Sequence, residues 1–279
     1  MIIALLFLLG LCFGSFTNAL TWRLYKQSKK SQKSKIKRDK YSIVHGRSMC
    51  PGCQHTLAWC DLLPVISWLS LAGKCRYCRQ PISWQYPLVE LATAALFVLS
   101  YIFFPFALNT SYFILLFALW LTFITAFMAL AVYDLKWMIL PDRIVFPMQA
   151  VALVYAVVVI ITTNGNKTHQ IMATILSVVF SAGLFFTIFH ISKGKWIGGG
   201  DVKLAVILGL LLGGPLQAFL TLFIASFMGS LVGVPLILLG NAKRNTKLPF
   251  GPFLIVATVI VYLFGSTLLA WYKSRVLLI

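Results

Sequence analysis

Apolar residues fall along this chain in long unbroken runs, not in the alternation of a half-buried strand. The runs cover residues 2–22, 88–105, 111–133, 144–163, 170–191, 202–213, 216–239 and 251–271. A helix needs about 20 predominantly apolar residues to cross the roughly 30 Å of hydrocarbon in a bilayer. The pattern therefore predicts an all-α polytopic membrane protein with about eight transmembrane helices. One run is short: residues 202–213, at about 1.5 Å each, reach only some 18 Å. Gly213-Gly214-Pro215 ends it, a break that is tolerated where neighbouring helices or water satisfy the freed backbone groups. Gly10 with Gly14, Gly209 with Gly213 and Gly229 with Gly233 form small-xxx-small pairs, which predict close helix packing. Ser15, Thr17 and Asn18 add polarity to the first span, as expected of a helix inside a bundle.

Composition agrees with the pattern: 60% of the residues are hydrophobic, so soluble classes drop out. There are 24 basic and six acidic residues, a net charge of +18. In a membrane protein such an excess is read first as topology. Residues 23–86 hold 13 of the basic residues, and the inner ends of the other spans bring the total on one side to 21. That bias places residues 23–86 in the cytoplasm and both termini outside. Charge follows the first apolar run and does not precede it, which argues against a cleaved signal peptide. Through Lys40 the basic segment reads as disordered or surface-bound, drawn to anionic membrane lipids at about 1 kcal/mol per charge. Nucleic acid is the weaker partner, because no aromatic stacking residue interleaves the run before Tyr41.

Beyond that run stand Cys50-Pro51-Gly52-Cys53 and, 21 residues later, Cys75-Arg76-Tyr77-Cys78. Two such knuckles supply four thiolates in a tetrahedron, the donor set of a structural zinc ribbon. Disulfides are disfavoured in a reducing compartment. A closed four-cysteine site leaves no coordination position open, so the Zn2+ it implies is structural. Cys60 and His55 are spare candidates that read as bystanders, and Cys12 lies too deep in the first span to take part.

The membrane-level acids are Glu90, Asp134, Asp142 and Asp201. Asp201 follows Gly198-Gly199-Gly200 and precedes the short apolar run; an aspartate at the centre of a membrane helix carries a penalty of roughly 2.5–3.5 kcal/mol. The glycines admit a second backbone, as in a substrate groove, or they form a flexible loop ending in an Asp N-cap. Topology brings Asp134, at the inner end of the third span, to the same depth as Asp201. Two aspartates meeting there with little water should share a proton and titrate as a unit. This is the condition for aspartyl hydrolysis, one carboxylate taking a proton from water while the other donates to the carbonyl oxygen and then to the leaving amine. Asp142 follows Pro141 at the start of an apolar run and reads as an N-cap. Lys136 and Lys203 each lie two residues past an aspartate, a spacing that does not share a helix face, so both are expected to snorkel to headgroups.

The chain resembles the type IV prepilin peptidases, membrane aspartyl proteases of the GxGD class. The likeness rests on Asp134-Leu-Lys-Trp-Met-Ile-Leu-Pro-Asp142, on Gly198-Gly-Gly-Asp201-Val-Lys203, on Gly14-Ser15-Phe16-Thr17-Asn18, on both cysteine knuckles and on Tyr86-Pro87-Leu88-Val89-Glu90. It implies Asp134 and Asp201 as the catalytic pair and type IV prepilins and type II secretion pseudopilins as substrates. It further implies cleavage of a short basic leader after a glycine at the bacterial inner membrane, then N-methylation of the new N-terminal residue from S-adenosylmethionine. No glycine-rich nucleotide loop marks a methyl-donor site, and the tetracysteine loop is its expected seat, with Lys74 and Glu90 as candidate lining residues. The expected domains are a first transmembrane helix at 1–22, a basic cytoplasmic domain with the zinc site at 23–86, and a seven-helix membrane peptidase core at 87–279. The alternatives are a transporter or channel using buried aspartates, against which the lack of an internal repeat counts, and a zinc-ribbon membrane adaptor, which leaves the glycines before Asp201 without purpose.

Overall fold

The computed structural model describes residues 1–30, 41–42, 46–106, 112–240 and 248–276. Most of the Ser28–Lys40 basic run, and the topology residues Lys243, Arg244 and Lys247, lie outside the described residues. Among the described residues the elements are helices and turns. They are α1 (Ile2–Lys30), α2 (Ile66–Ser70), α3 (Gln85–Phe103), α4 (Phe113–Trp137), α5 (Asp142–Thr162), α6 (Lys167–Ile191), α7 (Gly199–Leu212), α8 (Pro215–Leu238) and α9 (Gly251–Val276). Seven of them are long and apolar enough to span a membrane. The eighth expected span is α7, whose 14 residues reach about 21 Å. The chain divides into two units, residues 1–102 with 121–129 and residues 103–120 with 130–279.

In the first unit α1 and α3 meet backbone to backbone. A methyl group at Gly10 would lie 2.5 Å from the Ala94 Cα, and one at Gly14 would lie 2.6 Å from the Glu90 Cα. Only hydrogen fits at either position, so this small-xxx-small pair is used as expected. The Asn18 side chain ties the same helices further, donating to the Tyr86 carbonyl at 3.1 Å and accepting from Gln85 Nε2 at 3.1 Å. The first helix runs past residue 22 to Lys30. Apolar counting stops where charge begins, but the helix is carried on by contacts of its polar side chains. Arg23 Nη1 donates to the Ser42 carbonyl at 3.1 Å, Gln27 Nε2 donates to the Tyr41 carbonyl at 2.6 Å, and the Trp22 and Tyr41 rings meet edge-on at 5.6 Å.

In the second unit α7 is the inner element, packed by α5, α6, α8 and α9. Leu204, Ala205, Ile207, Leu208 and Leu211 are all buried, which a helix too short to need lipid contact allows. Gly209 is the close approach to α6, since a methyl there would lie 2.6 Å from the Val178 Cα, and Ser181 Oγ donates to the Ala205 carbonyl at 3.0 Å. Gly213 closes α7 in the left-handed conformation at φ 64°. Gly229 and Gly233 depart from expectation: among the described residues their nearest neighbours are side chains of Phe250, Phe253 and Leu248. Lys203 also departs. Its ammonium binds Asp142 Oδ1 at 2.6 Å and lies 5.0 Å from the Phe146 ring centre, while Gln149 Nε2 donates to its carbonyl at 2.9 Å. Asp142 is the first residue of α5, with Pro141 at the N-cap position, so it acts as a partner for Lys203 and not as a cap. Lys136 remains exposed.

Candidate active site

Asp134 sits in the last turn of α4, where the partial negative charge of the helix C-terminus disfavours a carboxylate. The compensation comes from another helix. Gly251, the first residue of α9, donates its N–H to Asp134 Oδ2 at 3.2 Å, bringing a positive helix end to a side chain that is 5% exposed. Asp201 occupies the first turn of α7, the favourable end of its own helix, and its Oδ2 lies beside the N-cap, 3.4 Å from where a methyl group at Gly198 would stand. The two side chains converge at Gly251. A methyl group added there would lie 2.6 Å from Asp134 Oδ2 and 3.7 Å from Asp201 Oδ1. Asp142 is absent from this convergence, being engaged by Lys203.

The three glycines before Asp201 are unequal. A methyl at Gly200 would meet the Leu140 Cβ at 2.9 Å, so this position admits the chain that follows α4. A methyl at Gly199 would make ordinary contact with Phe189 at 3.7 Å. The groove expected at the triple glycine is thus filled at Gly200 by the protein's own Leu140. Gly251 and Leu140 were missing from the sequence reading. The available signal for Gly251 was a glycine set between Pro249 and Pro252 at the head of an apolar run.

In the first unit the four predicted cysteines come together. Their sulfur atoms all lie within 4.8 Å of one another, and Cys50 and Cys78 are 3.8 Å apart. A tetrahedral zinc thiolate site with bonds of about 2.3 Å has edges of about 3.8 Å, so the donor set fits the ion in identity and size. The two knuckles are built alike. In the first, Cys50 N–H donates to the His55 carbonyl and Gln54 N–H to the Cys50 carbonyl; in the second, Cys75 N–H donates to the Gln80 carbonyl and Arg79 N–H to the Cys75 carbonyl. Gln54 and Arg79 both take φ 59°, and isolated bridges Met49–Thr56 and Lys74–Pro81 close the two turns. This local repeat escapes the sequence because little besides the cysteines is shared. Burial opposes ionisation at both buried thiols and pushes Cys50 up to about 12, while the backbone amides of Cys78 and Tyr77 bring Cys75 down to about 7. His55 stacks on Tyr77 at 3.7 Å between ring centres, and neither it nor Cys60 belongs to the cluster. Burial likewise opposes ionisation of Asp61, but Arg76, the Ala58 amide and the Tyr77 hydroxyl hold its carboxyl below the usual range.

The methyl-donor candidates separate. Glu90 is 5% exposed and lines a cavity within the first unit, whereas Lys74 is exposed on the second knuckle and is not among the lining residues.

Fold and site together define a polytopic membrane protein with a carboxylate pair in one unit and a four-thiol cluster in the other. A profile for the Bacterial Peptidase A24 N-terminal domain matches residues 8–104, and one for the Type IV leader peptidase family matches residues 120–234. Similar curated proteins carry the name prepilin leader peptidase/N-methyltransferase. That of Aeromonas hydrophila is 34% identical, covering 98% of this chain and 94% of its own length. Those of Pseudomonas aeruginosa (32%, covering 95% and 91%) and Bacillus subtilis (30%, covering 99% of both) are comparable. No solved structure gives a significant match. The chain belongs to the type IV leader peptidase family.

Proposed function

We propose that this enzyme cleaves the short basic leader of type IV prepilins, and of type II secretion pseudopilins, using Asp134 and Asp201, and then methylates the exposed N-terminal amine. The observation that carries the first step is the convergence of both carboxylates on Gly251. One proton is held between them. The ionised member takes a proton from the attacking water, and the protonated member donates to the carbonyl oxygen of the scissile peptide. As the tetrahedral intermediate collapses, the proton first taken from water passes to the leaving amine, and a hydroxyl proton of the intermediate returns to the carboxylate that had protonated the carbonyl oxygen, which restores the starting pair. The α7 and α9 N-termini favour the negative charge the pair carries throughout. The site is read as facing the cytoplasm across the bacterial inner membrane, on the strength of the basic-residue bias. The proposed division is a first helix at 1–22, a basic zinc domain at 23–86 and a seven-helix peptidase core at 87–279. Incubation of the purified protein with a prepilin-like peptide and S-adenosylmethionine, followed by mass spectrometry of the N-terminal peptide, tests both reactions. An intact leader after prolonged incubation would overturn the reading.

The salt bridge between Lys203 and Asp142 lies at the protein surface, with 37% and 55% of the two side chains accessible. Exposed pairs contribute about 0–1 kcal/mol. Lys203→Met should therefore leave the initial cleavage rate within about fivefold of wild type, a change of that size. A much larger fall would mean that Lys203 contacts substrate.

Zinc, once bound by Cys50, Cys53, Cys75 and Cys78, supplies a structural cross-link. The methyl donor supplies a methyl group whose bond to sulfur breaks with the electron pair left on sulfur, while the neutral N-terminal amine provides the pair for the new bond to carbon. Around the cluster the residues that form the first-unit cavity include Cys50 and Cys75 themselves, so loss of the metal should deform that cavity. About one zinc per chain is expected, and Cys75→Ser should lose zinc and lose methylation more severely than cleavage. Metal analysis and the two-product assay check this; equal loss of both reactions would make the loop a scaffold for the whole enzyme.

A further inference from the structure

The chain that joins α1 to α3 carries an apolar surface that belongs to no span. Ile66 and Leu69 of α2 are 63% and 64% exposed, Leu62 and Leu63 just before them are exposed, and Trp84 at the head of α3 is 67% exposed. On the two cysteine knuckles the exposed residues include Gln54, His55, Thr56, Arg79 and Gln80, all polar. Contiguous exposed apolar residues mark a surface that is covered in use.

The depth of this segment can be bounded. Val65, at positive φ, donates its N–H to Glu90 Oε2 at 2.7 Å. The Glu90 Cα lies against Gly14 of α1, where a methyl group would be 2.6 Å from it. Three carbon–carbon bonds and one carbon–oxygen bond carry a glutamate oxygen at most about 5 Å from its Cα. The Val65 nitrogen therefore stands within about 8 Å of the Glu90 Cα, or about five residues along α1 from the level of Gly14. That limit is Ala19. Arg23, the first charged residue of α1, lies a further turn out, so the Val65 turn is on the hydrocarbon side of it. Other bonds fix the segment there: Trp68 Nε1 donates to the Ile82 carbonyl at 3.2 Å, and the Trp68 ring meets that of Trp84 at 4.2 Å.

Backbone at that depth must satisfy its own polar groups. It does so. The N–H of Ile66 goes to Pro64, Ser67 to Leu63, Leu69 to Val65, Leu71 to Ser67 and Gly73 to Trp68, while Pro64 has no N–H to satisfy. We propose that residues 62–71 are seated in the bilayer at the boundary of headgroups and acyl chains. Leu62, Leu63, Ile66 and Leu69 lie against lipid there, with Trp84 at headgroup level. Because Cys75 follows Leu71 by only four residues, this seat holds the four-cysteine cluster at the membrane surface.

The test uses full-length protein in vesicles of phosphatidylethanolamine and phosphatidylglycerol, with a fluorescent amino acid at Leu69, Ile66, Gln54 or Gln80. Two quenchers are compared: lipid brominated on its acyl chains near the headgroup, and iodide in the buffer. Brominated lipid should dim the Leu69 and Ile66 labels about twofold or more and the knuckle labels little, and iodide should do the reverse. Using two α2 positions keeps local damage by one label from deciding the result. Iodide quenching at Leu69 and Ile66 as strong as at Gln80 would place the surface in water and overturn the proposal. Labels that resist both quenchers would overturn it too, in favour of a second copy if diluting the protein in lipid removes the shielding. Loss of bromolipid quenching on adding a prepilin-like peptide would make the substrate, and not lipid, the occupant.

Discussion

Asp134→Asn and Asp201→Asn should each reduce leader cleavage by about a thousandfold or more, within the range that general acid–base groups contribute. The amide keeps the shape of the carboxylate and, at Asp134, its ability to accept from Gly251, but it can neither take nor give the proton. Membrane insertion and abundance should be unchanged, because the α7 and α9 N-termini still meet an acceptor oxygen. Asp142→Asn should retain appreciable activity, since that carboxylate serves Lys203. Time courses of leader loss on matched amounts of protein give the comparison. A dispensable Asp134 together with an indispensable Asp142 would reassign the pair.

The second large effect is expected at a residue with no side chain. Gly251→Ala would place a methyl group 2.6 Å from Asp134 Oδ2, closer than any normal contact, and 3.7 Å from Asp201 Oδ1. Either α9 shifts or the carboxylate does. A misplacement of about 1 Å at a reacting group can reduce rate by roughly a hundredfold, and a loss of that order is expected in cleavage. Gly199→Ala should be close to neutral in the same assay, as its methyl meets only Phe189 at ordinary distance. Gly200→Ala, crowding Leu140, should fall between them. Similar rates for all three would mean that the convergence on Gly251 does not govern catalysis.

Long-range order in this protein was legible wherever it is written in one-dimensional runs. Hydrocarbon thickness sets the length of an apolar run, so the spans could be counted, and the shortness of 202–213 was visible as the 14-residue α7. Thiolate spacing is local chemistry, and the four-cysteine cluster followed from two CxxC pairs. The aspartates stood out because ionisable groups are costly at membrane depth. Contacts between distant positions were not legible. Asp142 and Lys203 are 61 residues apart, and the cap offered to Asp134 by Gly251 crosses 117. Nothing in the local pattern around either partner names the other. The α1 extension to Lys30 was hidden for a different reason: hydropathy registers charge as an end, while the helix is held by hydrogen bonds from Arg23 and Gln27 to a segment that hydropathy cannot place.

Val65 sits at φ 60° and ψ −48°, a conformation that a β-branched residue rarely adopts, and the buried Glu90 carboxylate accepts its N–H. A residue forced to positive φ makes the folded loop less stable than it needs to be, and glycine would remove that penalty at the same position. Val65→Gly should then raise the melting temperature of the zinc-bearing unit by a few degrees at most, because the gain in the folded state is offset by the greater freedom of an unfolded glycine. The same exchange would loosen a turn that the Glu90 carboxylate holds through the Val65 N–H at 2.7 Å. A sturdier unit with a slacker loop is the expected product, a trade-off localised to a single dihedral angle.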